Sequence, residues 1–301
     1  MPPRPRSRRP AAHELEQAEA RRPPPRATVP SGSPLATTPA GEALAMLRRR
    51  GFRPSPWPPD LPFPADLDPA RTERFAHLLD HYAFRLFLRG AIQRRRGFHP
   101  AEATRYLGAE GARAMADELV ALGLAERTGR GRYRLLHPSR SFGGTLEWYV
   151  ARELRERLGF DTATGLRFGA PGVGGDLDVV AAAEGRLLYL ELKSSPPRQL
   201  GEREVAAFFD RLEALRPDLA LFVVDTALRL GDKVVPMLVD EMARRTGRRP
   251  KPHRVVRELW ALSPGLHAVN AKGDLMANVA RAIAEGLRAG RPPLTAVEGP
   301  T

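Results

Sequence analysis

The chain has 301 residues, no cysteine and a formal net charge of +13, with a sequence pI near 11.0. The missing cysteine excludes disulfides, thiolate metal sites and a cysteine nucleophile, so any metal must be held by oxygen or imidazole. The positive balance favours a polyanionic partner, nucleic acid first, and 42% hydrophobic residues leave enough apolar material for a core. No apolar run approaches a membrane span and the N-terminus has no secretory h-region, so a cytoplasmic protein without a membrane partner is expected.

Residues 1–40 are rich in Pro, Arg, Ala and Ser/Thr without apolar periodicity, which reads as disorder. A short helical piece from Glu42 to Arg50 and a proline-dense stretch to Pro69 follow. Residues 1–70 are therefore expected to be tail and linker.

From Arg71 the texture changes. Phe75, Leu78, Leu79, Tyr82, Leu86 and Phe87 recur at helical spacing and predict one long amphipathic helix to about Arg95. A short helix from Pro100 to Leu107 has proline in its first turn, and a third runs from about Ala109 to Leu122. Leu124–Arg127 and Arg132–Leu136 read as two strands around Thr128-Gly129-Arg130-Gly131. Three helices followed by such a hairpin resemble a winged helix-turn-helix, a domain set at 71–140. In such domains the third helix enters the major groove. Here that helix carries Arg113 beside Glu110, Asp117 and Glu118, whereas the hairpin carries Arg127, Arg130, Arg132 and Arg134. These five arginines are the expected DNA-binding residues, with protein contact or dimerisation the competing use of the same element.

Leu146, Val150, Leu154 and Leu158 form a helical stripe ending at Gly159, with Glu147 beside it. A short strand near Leu166–Phe168 and a glycine-rich loop, Gly169 to Gly175, lead into two apolar runs, Asp176–Ala183 and Arg186–Lys193. The two runs flank Glu184-Gly185 and predict a β-hairpin. If those two residues form the loop, Ala183 faces Arg186, Asp178 faces Glu191 and Asp176 faces Lys193. Residues two apart share a face, so Asp176, Asp178, Glu191 and Lys193 would all project to one side. Facing carboxylates repel, and a divalent cation would relieve them, magnesium or manganese given hard oxygen ligands. The competing reading is a solvent-exposed face on which Lys193 pairs with Asp176.

Asp178, followed across the hairpin by Glu191-Leu192-Lys193, resembles the D…(E/D)xK signature of the PD-(D/E)xK, or restriction-endonuclease-like, nuclease superfamily. Only four lysines occur in the chain, and Lys193 is the one in this place. Glu147 matches the acid that many members carry on the preceding helix. The likeness covers about 143–226 and is nearest to the Mrr-type and Holliday-junction-resolvase-like branches. The proline that names the superfamily is not immediately before Asp178; Pro171 lies upstream.

The resemblance implies an α/β fold with an αβββαβ core and a mixed central sheet, set at 141–290, and a tail from 291 to 301. It implies a metal-dependent DNA endonuclease acting in restriction, repair or recombination. Asp178, Glu191, the Leu192 carbonyl and Glu147 would hold Mg2+ or Mn2+, and Lys193 would orient the attacking water. Asp176, Gln199 and Arg203 are auxiliary candidates. DNA is the expected partner, and two coordinated cuts would call for a homodimer. The alternatives are a catalytically silent nuclease fold used for DNA binding or regulation, and a winged-helix regulator whose α/β part binds a small ligand.

Overall fold

The structure is a computed structural model that describes residues 41–167 and 173–289, all within one unit spanning 40–301. The tails expected at 1–40 and 291–301, together with Phe168, Gly169 and Pro171, lie outside the described residues.

In chain order the elements are α1 (Glu42–Arg49), β1 (Ser55–Pro56), α2 (Pro69–Asp80), α3 (Tyr82–Gln93), α4 (Pro100–Ala103), α5 (Ala109–Ala121), β2 (Ala125–Gly129) and β3 (Arg132–Leu135). Then come α6 (Gly143–Leu158), β4 (Asp161–Arg167), β5 (Asp176–Ala183), β6 (Arg186–Lys193), α7 (Glu202–Leu215) and β7 (Leu219–Val224). The chain continues with α8 (Val234–Thr246), β8 (His253–Val256), β9 (Leu259–Ser263), β10 (Leu266–Asn270) and α9 (Leu275–Ala289).

Eight strands form one mixed sheet in the order β1-β4-β5-β6-β7-β10-β9-β8, with β6–β7 and β7–β10 parallel and the other pairs antiparallel. The fold is therefore α/β. The hairpin turn holds Glu184 at φ 53° and Gly185 at φ 71°, the left-handed pair that matches the twist of two tightly connected strands.

Each sheet face is covered by its own helices. On one face Leu146, Val150 and Leu154 of α6 and Val279 and Ile283 of α9 pack on Val179, Leu188 and Leu190, and this cluster runs on into Phe75, Phe84 and Phe87 of α2 and α3. One continuous core thus joins the N-terminal helices to the sheet. On the other face Val205, Phe208 and Phe209 of α7 and Leu238 of α8 pack on Val180, Tyr189 and Phe222. Phe208 is fully buried and meets Phe222 edge-on at 5.1 Å, a burial worth about 1.5–3 kcal/mol.

Three local differences from the sequence expectation have physical causes. The long helix from Arg71 is two helices, broken at His81, whose ψ is 116°. The break frees carbonyls that the buried Arg85 satisfies, at 2.5 Å to Leu79 O and 3.1 Å to Asp80 O. Residues 41–70 are not a bare linker. Ala43 and Leu47 of α1 are fully buried in the second core, Ser55 and Pro56 pair with Arg167 and Leu166, and Phe63 packs on Phe75. Finally, β8 closes the far edge of the sheet through His253–Val256, which carries no alternation strong enough to announce a strand.

Candidate functional site

The site is built at one end of the β5–β6 hairpin. The ladder pairs Ala183 with Arg186 through Val179 with Leu190, which is the register derived by counting from Glu184-Gly185. Beyond Val179 the pairing gives way to a side-chain contact, in which Asp178 Oδ2 accepts the Leu192 backbone N–H at 2.7 Å. Helix α6 brings Glu147 from the first face, held by the stripe at Leu146, Val150 and Leu154. Burial, then Asp176 and Glu191, push the Glu147 carboxyl up to about 7. Burial, then Glu191 and Glu147, hold Asp178 well above the ordinary carboxylate range, against the pull of the Leu192 N–H and Lys193. Glu147, Asp178, Glu191 and Lys193 therefore lie within electrostatic reach of one another.

Glu191 is held quite differently from the other two acids. Arg211 of α7 donates from Nη2 to both of its oxygens at 2.8 Å, Tyr189 donates its hydroxyl to Oε2, and Lys193 Nζ stands 2.8 Å from Oε1. Burial works against ionisation, but Lys193 and Arg211 keep the Glu191 carboxyl below its ordinary value. Arg211 also donates from Nε to the Tyr189 hydroxyl at 2.8 Å and from Nη1 to Gly174 O at 3.4 Å, tying the glycine-rich loop to the same knot. Neither Tyr189 nor Arg211 was singled out from the sequence. The available signal was a charged residue at Arg211 on the apolar face of Phe208, Leu212 and Leu215, where a buried cation needs a partner.

Lys193 turns to Glu191 and, at 3.8 Å, to Glu204, so it does not pair with Asp176. Burial alone would lower its pKa, yet Glu191 and Asp178 raise it, and the ammonium stays charged. Its carbonyl accepts the Asp225 N–H at 2.8 Å. Asp225 is fully buried and takes Arg85 Nε at 3.0 Å and Arg89 Nη2 at 2.9 Å, so α3 grips the strand beside Lys193. Asp176 is exposed, sits opposite Arg167 on β4 and adds charge near Glu147.

Strict alternation, which puts Asp176, Asp178, Glu191 and Lys193 on one side and would put Leu177 on the other with Val179 and Leu188, fails at one point. Leu177 packs with Val180 and Tyr189, not with Val179 and Leu188. Its partner strand explains this. Thr164 pairs with Val179 and Leu166 with Leu177, which puts Gly165 opposite Asp178, and Gly165 has a φ of 56°. That left-handed residue, which suits glycine, turns the strand pair over, and Gly165 O accepts the Trp57 N–H at 3.0 Å.

The arginines proposed for DNA contact are unequal. Arg127 is paired with Asp117 at 2.8 Å, Arg134 with Glu126 at 2.5 Å, and Arg132 donates to Gly97 O at 3.0 Å. Arg113 and Arg130 form no ion pair among the described residues. Gln199 lies on a cleft of about 840 Å3 whose wall includes Ser194 and Ser195, directly after Lys193, and Ser141 and Phe142, just before α6. Arg203 lines a separate, smaller hollow of about 440 Å3 together with Glu241 and Arg244.

For a metal, the donor set fits in part. Among the described residues no group of three or more His, Asp or Glu side chains is arranged to hold an ion, and Glu191 is engaged by Arg211, Tyr189 and Lys193. Glu147 makes no hydrogen bond or ion pair there, and Asp178 uses only Oδ2. Both carboxylates are raised by burial and by neighbouring acids, Asp176 and Glu191 for Glu147 and Glu191 and Glu147 for Asp178, and Mg2+ is commonly held by one or two carboxylates with its remaining positions left to water and substrate.

No family profile and no curated protein matches the chain. Among solved structures it is similar to protein VC1899 from Vibrio cholerae, with 15% identity and a TM-score of 0.48 over 81% of this chain and 62% of that one. It is also similar to Can2 from Sulfobacillus thermosulfidooxidans, solved in complex with cyclic tetra-adenylate, with 14% identity and a TM-score of 0.47 over 81% and 60%. The chain thus spans about three-fifths of the length of either structure.

Proposed function

We propose that the chain is a metal-dependent DNA endonuclease with a restriction-endonuclease-like core, and that the elements from Pro69 to Leu135 are a winged helix-turn-helix. The observation that carries this reading is the meeting of Glu147, Asp178, Glu191 and Lys193 at one end of a hairpin, from three elements. Glu147 and Asp178 would hold Mg2+ or Mn2+, and Glu191 with the Leu192 carbonyl would join them only by giving up part of the Arg211 clamp. When bound, the ion supplies Lewis-acid polarisation of the phosphate and a more acidic water. Lys193, charged and anchored by Glu191, sits where it can hold a non-bridging oxygen or the attacking water and offset developing negative charge. In the hydrolysis the water oxygen bonds to phosphorus, the bond to the leaving sugar oxygen breaks, and that oxygen gains a proton. Lys193 and Arg211 together keep Glu191 ionised, and Glu191 in turn anchors Lys193.

The test is nicking of supercoiled plasmid and cleavage of branched DNA with and without Mg2+ or Mn2+, comparing wild type with Asp178→Ala. Metal-dependent cutting lost in the variant is expected. A second reading, a silent nuclease fold that binds DNA, is favoured by the saturation of Glu191. Metal-independent DNA binding with no cutting in either protein would establish it and overturn the first.

A further inference from the structure

The cleft beside the catalytic hairpin is more specific than a general basic surface. Arg105, Arg140 and Arg198 line it, and none of their guanidinium groups has a carboxylate partner among the described residues, although the Arg140 backbone N–H donates to Asp60 Oδ2 at 2.7 Å. Arg89 also lines it, tied through Nη2 to the buried Asp225, with its Nε buried and without a hydrogen-bond partner among the described residues and its guanidinium 5.4 Å from the Phe142 ring. Among the described residues Asp225 is the sole carboxylate in the lining, and Arg85 and Arg89 already pair with it. The cleft is therefore net positive, whereas Arg127 and Arg134 of the wing are neutralised by acids.

An aromatic plate stands at the rim. Tyr106 is 62% exposed, and Arg105 both covers its ring at 5.1 Å and donates to its hydroxyl at 3.0 Å. A large exposed aromatic held by a guanidinium is a ready surface on which a base can stack. The volume, about 840 Å3, falls in the range of small-ligand pockets. It suits a short run of unpaired nucleotides and not a duplex, whose stacked bases would hide the faces that Tyr106 could meet.

From these observations we infer that the cleft binds unpaired nucleotides of the DNA strand presented to Lys193, with its phosphates on Arg105, Arg140 and Arg198 and a base on Tyr106. The inference rests on the nuclease reading for its context and adds the substrate form, a strand with an unpaired segment next to the cut. Ser194 and Ser195 carry the cleft wall directly into Lys193, so a strand lying in it arrives at the catalytic hairpin.

The experiment is fluorescence anisotropy of the full chain with a labelled oligothymidylate and with a labelled duplex of equal length, in EDTA. The proteins compared are wild type, Tyr106→Ala, Arg105→Ala combined with Arg140→Ala, and Arg281→Ala as an exposed charge-loss control, each checked by its melting temperature. Tyr106→Ala is expected to weaken the single strand about tenfold, the double variant at least as much, and both to leave the duplex within about twofold. Arg281→Ala should leave the single strand unchanged. Unchanged single-strand affinity in both cleft variants, or equal losses for strand and duplex, overturns the inference. Because binding is read without metal, absent cleavage with cleft-dependent strand binding overturns only the nuclease reading. Metal-dependent cleavage with cleft-independent binding overturns only this one.

Discussion

Arg211 Nη2 lies 2.8 Å from each carboxylate oxygen of Glu191, and this contact from α7 to β6 makes one acid of the hairpin a neutralised group while Glu147 and Asp178 form no ion pair among the described residues. Removing one partner of a buried pair costs about 3–5 kcal/mol when the other is left buried and uncompensated, but Glu191 keeps Lys193 and the Tyr189 hydroxyl. Arg211→Gln should therefore lose less stability than that range in urea unfolding, and Arg211→Gln with Glu191→Gln together should lose clearly less than the sum of the single variants. Additive losses would show that the two residues do not act as a unit.

Lys193 is charged because Glu191 and Asp178 outweigh its burial. It should therefore act by position and charge, and removing it should affect the transition state more than DNA affinity. Lys193→Ala is expected to lower single-turnover cleavage by a factor of about a hundred or more, with DNA binding within a few-fold of wild type. Cleavage retained at the wild-type rate would remove Lys193 from the catalytic set.

Glu147 gives the site a pH signature. Its carboxyl is raised to about 7 by burial, then Asp176 and Glu191, from 4.5, so between those values the folded state binds more protons than the unfolded one. Stability from this group is then full below about pH 4.5 and lost as pH rises through 7, by at most about 3 kcal/mol. His267, held down to about 4 by burial and then by His253, works in the opposite sense over an overlapping range. The useful quantity is therefore Glu147→Gln minus wild type. Measured by chemical unfolding in EDTA, that difference should be near zero at pH 4.5 and favour the variant at pH 8. Added Mg2+ should shrink it by stabilising ionised Glu147. A difference independent of pH would mean that Glu147 is not strained.

The hairpin was legible because its register follows from a two-residue turn and a strict period of two, so Ala183–Arg186 to Val179–Leu190 could be counted. The helix with Glu147 was legible from its stripe and its glycine stop, which takes a φ of 68° at Gly159. What decides the chemistry of Glu191 was not, since Arg211 lies 20 residues away on a helix whose docking depends on Phe208 and Phe209 meeting the sheet. Asp225, behind an all-apolar strand, is explained only by Arg85 and Arg89, which come from 140 and 136 residues earlier. Local periodicity reports which face of an element is apolar, and such long-range ion pairs leave no period of their own.

Gly165 is where local pattern and site meet. With φ at 56° and a position opposite Asp178, it turns over the end of the β4–β5 pair and sends Leu177 to the α7 face. An L side chain in that conformation costs about 1–2 kcal/mol, and the Trp57 backbone passes close enough to leave an added Cβ 3.5 Å from its carbonyl oxygen. Gly165→Ala should lower stability by about that amount, and Gly165→Val by more, since a β-branched residue tolerates positive φ poorly. If the turn also sets the Asp178 carboxylate on the Leu192 N–H, metal-dependent cleavage should fall in Gly165→Ala even at a temperature where the variant is fully folded. Circular dichroism fixes that temperature, and single-turnover assays below it read the rate. Full activity in a destabilised but folded variant would mean that Gly165 serves only the fold, and that Asp178 finds its place without help from β4.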